Sequence, residues 1–549
     1  MNAKVSRPRQ NCIRKVLLAT AALVLLGQST TPGHTQSSVD GKRFGEVHFP
    51  ISCNQAAQQQ FDRALAMLHS FFFPETTKAL SIIVAQEPSC AMAYWGIAIS
   101  QRPNPLSMPI PPALMKHGWE AIEKARAAGP KTDRERGFVD AMEVYYKDFD
   151  KTDYRSRILA YEAAMKRLRE RYPDDAEAAI FYVLALNEAA DPSDQTFSHQ
   201  IKAASILEAL EDRMPNHPGI VHYIIHSYDY APLAQRGLFA AMRCAQLAPA
   251  APHALHMPAH IFSMLGMWHE SIQPNLASKA ALTTYNGENY GGAADPTVLH
   301  SMDFLVYDYL QLAQDKAAGQ IVDERNAVQR FVNVRIVGDA AYAAIPVRFA
   351  LELGNRKGAA SLPPWKSESP YAEAITYFGR AVGRARGGDP QGADADIASI
   401  RELKAKLVGQ NESYWADQVE ILNLAASAWQ THAAGKAQEA VRLMRAAANR
   451  EATIAKTVAM ENPLVPMREL LAEMFLAQND PASALREFEA SLTSAPNRFR
   501  SFAGATEAAK RFGDLATAKK YSQKLIELAS FADSERPELT AARQLLAEK

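Results

Sequence analysis

The chain has 549 residues, with 60 basic and 60 acidic side chains, and a sequence pI near 7.2. That balance excludes the strongly basic footprint of a nucleic-acid-binding surface. A hydrophobic content of 48% is ordinary for a folded chain, but helical repeat arrays grow in one dimension, so length does not fix a domain count.

In chain order, Arg7, Arg9, Arg14 and Lys15 precede an apolar run over 16–27, VLLATAALVLLG. The run is too short to span a bilayer, so the spacing predicts a Sec-type signal over about the first 35 residues, within a leader of 1–38. An uncleaved anchor is the alternative. The expected location is therefore exported and periplasmic, with no membrane span after the leader. Beyond Cys12, the cysteines are Cys53, Cys90 and Cys244. Cys53 and Cys90 flank the first helical hairpin and are placed to pair in an oxidising compartment, whereas Cys244, in AAMRCAQLA, reads as a buried small hydrophobe.

Phe61, Leu65, Leu68 and Phe72 recur at helical spacing, and a second helix is expected over 75–86, before Pro88. Trp95 follows Phe61 by one tetratricopeptide (TPR) period, about 34 residues, and opens the next unit. The proline-rich stretch 102–112 interrupts that period as a lip or a surface insertion. Residues 113–214 read as helices throughout, and 217–313 hold the histidine-rich units. A glycine-rich loop is expected over 286–296 (NGENYGGAADP). Residues 339–460 look helical but match the repeat poorly, so 354–370 is taken as a linker between an N-terminal array, 39–353, and a C-terminal array, 371–549. Near the end, Asp480 and Asp514 lie one period apart, as do Ala484 and Ala518. Such pairs mark a turn and a close helix crossing in successive TPR units. No stretch alternates like a strand. The expected fold is all-α: a TPR-like helical-hairpin solenoid winding as a right-handed superhelix.

Eight of the 14 histidines fall between His217 and His300, far more than an even spread would place there. His222 and His226 form one H-x-x-x-H, and His256 and His260 form another, one period later. Pro215 and Pro218 align with Pro249 and Pro252 at the same offset. Imidazoles at i and i+4 share a helix face and can chelate one cation, and helices about 8–10 Å apart bring two such pairs together. His300 should open the following unit, with Asp303 one turn on. The expected metal ligands are His222, His226, His256, His260 and His300, with Asp303 as ligand or catalytic base. Asp229 is read as a carboxylate that orients His226. His217 and His253 are read as capping or outer-shell residues, His269 as a surface residue, and His69 is left out. The donor set suits zinc or copper, with iron possible, as one or two ions. For any single histidine, packing in a polar core is the plainer reading; the repeat register is what favours a metal.

The runs CAMAYWGIAIS, HPGIVHYIIHSYD, APHALHMPAHIFSMLGMWHESI, YWADQVEILNLAASAW and ALREFEASLTSAPNRF resemble a family of exported bacterial TPR proteins. The resemblance covers most of 50–530 and implies the helical-repeat fold and little about activity. Three functions follow as expectations: a metal-dependent hydrolase or oxidoreductase with its site on the concave face, acting on a small molecule or peptide in the groove; a scaffold binding a protein partner; or a periplasmic metal carrier. No nucleic-acid partner is expected.

Overall fold

The structure is a computed structural model, and it describes residues 43–102, 104–106, 110–332, 336–455 and 463–548. The expected signal segment, and part of the proline-rich 102–112 stretch, lie outside the described residues. Residues 41–549 form one compact unit. Among the described residues there is helix after helix and no strand, only an isolated bridge between Ala294 and Phe331. No helix among them is long and apolar enough to cross a membrane. The chain is a TPR-like helical-hairpin solenoid.

The hairpins follow from local chemistry. The first pairs Gln55–His69 with Phe73–Gln86. Asn54 caps its first helix by accepting the Ala57 N–H, and Phe61, Leu65 and Leu68 point inward. At the other end of the chain, Asp480 and Asp514 do the same work one repeat apart. Asp480 accepts from the Ser483 amide and Asp514 from the Thr517 amide, each starting the second helix of its hairpin. A side-chain cap of this kind satisfies an N–H that the helix leaves unpaired. Ala484 and Ala518 are fully buried, as small residues at a close crossing should be.

The Cys53–Cys90 disulfide joins the entrance of the first helix to the start of the third, Ala91–Ser100, across 37 residues. Cys244 is free and buried. Replacing both bridged cysteines by alanine is expected to lower stability by about 2–4 kcal/mol, because the unfolded chain regains the entropy that the cross-link removed. Chemical denaturation of the oxidised protein and the variant measures it; equal midpoints would mean that the bridge contributes nothing.

Two details differ from the sequence reading. The helix Trp268–Tyr290 runs on into the expected glycine-rich loop and ends at Gly291, whose φ of 57° is left-handed. Gly287 sits inside the helix with open space around it, so a glycine alone did not break it. The 354–370 segment carries a short helix, Arg356–Ala360, that lies against Gly383 of Pro370–Arg386; a Cβ there would meet the Ala360 nitrogen at 2.6 Å. The helix Ile336–Glu352 faces two cores at once. Ala341 and Ile345 join one that begins at Trp268, while Ala340 and Val347 join another that extends to Ala542.

Candidate metal centre

Three segments bring six imidazoles together. His222 and His226 lie on Pro218–Tyr228, which starts with a proline in the one helical turn that needs no N–H. His253 and His256 lie on the five-residue turn Pro252–His256, and His260 follows on Pro258–Met264. Pro258 splits what the sequence suggested was one helix, yet His256 and His260 still share a face. His300 lies on Pro296–Gln311, whose first amides are capped by Asp295.

These side chains form two sets of three. In the first, His222, His226 and His253 place one ligand nitrogen each within 4.8 Å of the others. The His222 and His226 Nε2 atoms are 3.0 Å apart. In the second, His256, His260 and His300 do likewise. Here Nε2 of His260 is 2.9 Å from that of His256 and 3.3 Å from that of His300. The sets are neighbours: ring centroids of His226 and His260 are 6.3 Å apart, and those of His253 and His256 are 6.2 Å apart. Phe71 packs on the first set and Phe304 on the second. All six are buried except His253, which is half-buried.

The outer nitrogens fix the tautomers. His260 Nδ1 lies 2.8 Å from the Asp229 carboxylate, an acceptor, so it carries the proton. His256 Nδ1 faces Asn275 Oδ1 at 2.6 Å. That amide is oriented by its own N–H, which donates to the Ser271 carbonyl at 2.8 Å, so His256 Nδ1 is also the donor. In their neutral forms, both Nε2 atoms then present lone pairs to each other across 2.9 Å. Two lone pairs at that distance repel unless a proton or a metal ion lies between them. His222 Nδ1 likewise donates to the His69 carbonyl at 2.6 Å, turning its Nε2 lone pair toward His226. His253 Nε2 is buried beside this pair without a hydrogen-bond partner among the described residues. Burial pushes the His222 pKa down to about 3. Burial and then the neighbouring imidazoles also hold His253 well below the usual value. Neutral imidazoles with outer N–H groups held by a carbonyl, an amide and a carboxylate are the arrangement of metal-ligating histidines.

A third group, His69, Glu177 and His217, is built differently. The Glu177 carboxylate accepts from Nε2 of His69 and of His217, each at 3.0 Å. The Tyr223 hydroxyl pairs with His69 Nδ1 at 3.0 Å. Glu177 serves both rings as acceptor here without a cation, while His217 Nδ1 is buried without a hydrogen-bond partner among the described residues. The group supports the centre through the His69 carbonyl, and Gly219 makes room for it: a Cβ there would meet His69 Nδ1 at 2.9 Å.

The five expected histidine ligands are therefore brought together. The Asp229 carboxylate accepts from His260 Nδ1. Asp303 accepts two hydrogen bonds from Arg348, at 2.9 and 3.1 Å, and belongs to neither set of three. Sequence reading missed His253 and His69. His253 stands beside Pro252, one turn before His256, on the short helix that precedes Pro258. His69 lies 153 residues before His222, and no spacing rule connects them. His269 is exposed, as expected.

Asn275→Ala is expected to weaken metal binding about 10–100-fold, because His256 loses the acceptor that fixes its ring. Competition with a chromophoric chelator checks it, and unchanged affinity would remove Asn275 from the support of the site.

No protein-family model matches the chain, and no curated protein does. Among solved structures, it is similar to Naa15/Naa10 bound to HypK-THB, at 10% identity over 89% of this chain and 73% of that one, with a TM-score of 0.20. It is also similar to the TPR domain of P58(IPK), at 14% identity over 67% of this chain and 99% of that one, with a TM-score of 0.21. Neither likeness bears on activity.

Proposed function

We propose that this chain is an exported helical-repeat metalloprotein holding two transition-metal ions side by side, one on His222, His226 and His253, the other on His256, His260 and His300. The observation that carries the reading is the pair of inward lone pairs on His256 and His260, whose outer nitrogens are both committed as donors. Three neutral imidazoles per ion favour zinc or copper, with iron next. An ion with three protein ligands keeps a position open, and it supplies Lewis-acid or redox chemistry to a small substrate, as in a metal-dependent hydrolase or oxidoreductase. Asp303, bound by Arg348, positions the His300 helix. The Cys53–Cys90 disulfide supports export to an oxidising compartment.

Titrating chelator-treated protein with cobalt(II) tests the centre. A breakpoint at about two equivalents, with visible bands of nitrogen-ligated cobalt, is expected. A linear drift without a breakpoint would sink it. The repeat fold itself favours a second reading, a scaffold whose concave surface binds a protein partner. In that case partner binding survives complete removal of metal.

A further inference from the structure

A second site lies outside the metal centre. A cavity of about 560 Å³ opens between helices of the two halves of the chain, within the size range of small-molecule sites. Its wall is aromatic. Trp415 packs against both Tyr371 and Tyr414 with ring centroids 4.9 Å apart, and Trp268 packs against Tyr307 at 5.1 Å. All five rings line the cavity, together with Tyr230.

Among the described residues, the charges in this wall are not all paired. Arg348 is neutralised by Asp303 and Arg468 by Glu487. Glu451 also lines the cavity. Its carboxylate accepts from the Met467 amide at 2.9 Å, and among the described residues no basic side chain stands at ion-pair distance from it. Burial pushes its pKa up to about 7, against the pull of Arg468 and Arg498 and with a push from Glu469. A cavity with paired arginines, a carboxyl that has no basic side chain at ion-pair distance among the described residues, and aromatic side chains along its wall disfavours an anion. Among the described residues it offers no imidazole or thiolate set for a metal ion. Ring faces attract cations through their quadrupoles, and a carboxyl that lacks a counterion gains most from one.

We propose that this cavity binds an organic cation, an ammonium group carried on an aromatic body, with the ammonium against Glu451 and the body among Tyr371, Tyr414 and Trp415. The proposal goes beyond the metal reading and does not depend on it. None of the six metal-ligand histidines lines the cavity; its nearest links to the centre are Ser263, on the His260 helix, and Tyr307, on the His300 helix.

The test is calorimetric titration with tryptamine and with tryptophol, its neutral alcohol analogue, on protein both as purified and after chelation. Tryptamine is expected to bind at least about tenfold more tightly than tryptophol, equally with and without metal. Its affinity is expected to rise from about pH 6 to about pH 8, because the bound form needs Glu451 ionised. Glu451→Gln is expected to remove the preference for the amine. The wild-type comparison stands whether or not that variant folds. Tryptamine binding no tighter than tryptophol, or a preference unchanged in a folded Glu451→Gln protein, would overturn the proposal. A preference that vanishes on chelation would overturn its independence from the metal and place the ligand at the metal centre instead.

Discussion

Replacing His226 with alanine is expected to lower the metal content by about one equivalent, and replacing His300 with alanine by about one more, because each belongs to a different set of three. The double variant His222→Ala, His256→Ala is expected to hold no transition metal. Two imidazoles are too few to hold an ion once chelators compete, and each single change leaves its set with two. The distinction between one shared ion and two separate ions rests on the same variants. With one ion bridging all six rings, either single variant would weaken the whole site together. With two, His226→Ala leaves the His256 set able to saturate at about one equivalent. Elemental analysis after dialysis reads both outcomes, and circular dichroism confirms that the helices persist. If His226→Ala and His300→Ala each abolish all binding, the two-ion arrangement is wrong.

Arg498→Ala is expected to destabilise the fold by about 3–5 kcal/mol, since removing one member of a buried ion pair strands its partners. Arg498 is fully buried, and so is Glu469. Its guanidinium donates to Glu469 at 2.8 and 2.9 Å, to the Tyr307 hydroxyl at 2.8 Å and to Glu352. Burial alone would lower the arginine pKa, but Glu352 and Glu469 more than reverse that and raise it well above the ordinary value. Without that cation, Glu352 and Glu469 sit together away from water, with Arg500, 3.9 Å from Glu469 and shared with Glu473, as the neighbouring cation left to them. The residue also joins segments far apart in the chain: the His300 helix through Tyr307, the helix Ile336–Glu352 through Glu352, and Met467–Ala477 through Glu469. Urea unfolding measures the loss. A change below about 1 kcal/mol would show that the network rearranges around the gap.

The sequence was most readable where one local rule decides. Asp480 and Asp514 turned out to be caps one repeat apart because a carboxylate before a helix has one strong use there. The two H-x-x-x-H pairs were legible because an i, i+4 spacing puts side chains on one face whether the helix is regular, as at His222, or kinked, as at His256. What could not be read was set by tertiary contact. The Asp229 carboxylate lies one turn from His226 in sequence, and it also meets His260, one repeat away, which no local spacing indicates. Asp303 shares the His300 helix, yet Arg348, from another helix, claims its carboxylate. His69 contributes a backbone carbonyl, which every residue has, so its identity carried no signal. Glu451 and the aromatic wall come from segments spread over the whole second half and part of the first, with no motif among them.

The central claim is that the six histidines hold metal in the native protein. Elemental analysis of the full chain, purified without an affinity tag and without chelators, tests it most directly. About two equivalents of zinc or copper per chain, or of iron, retained through dialysis, are expected. A folded, metal-free protein that takes up none of these ions when they are added back would contradict it.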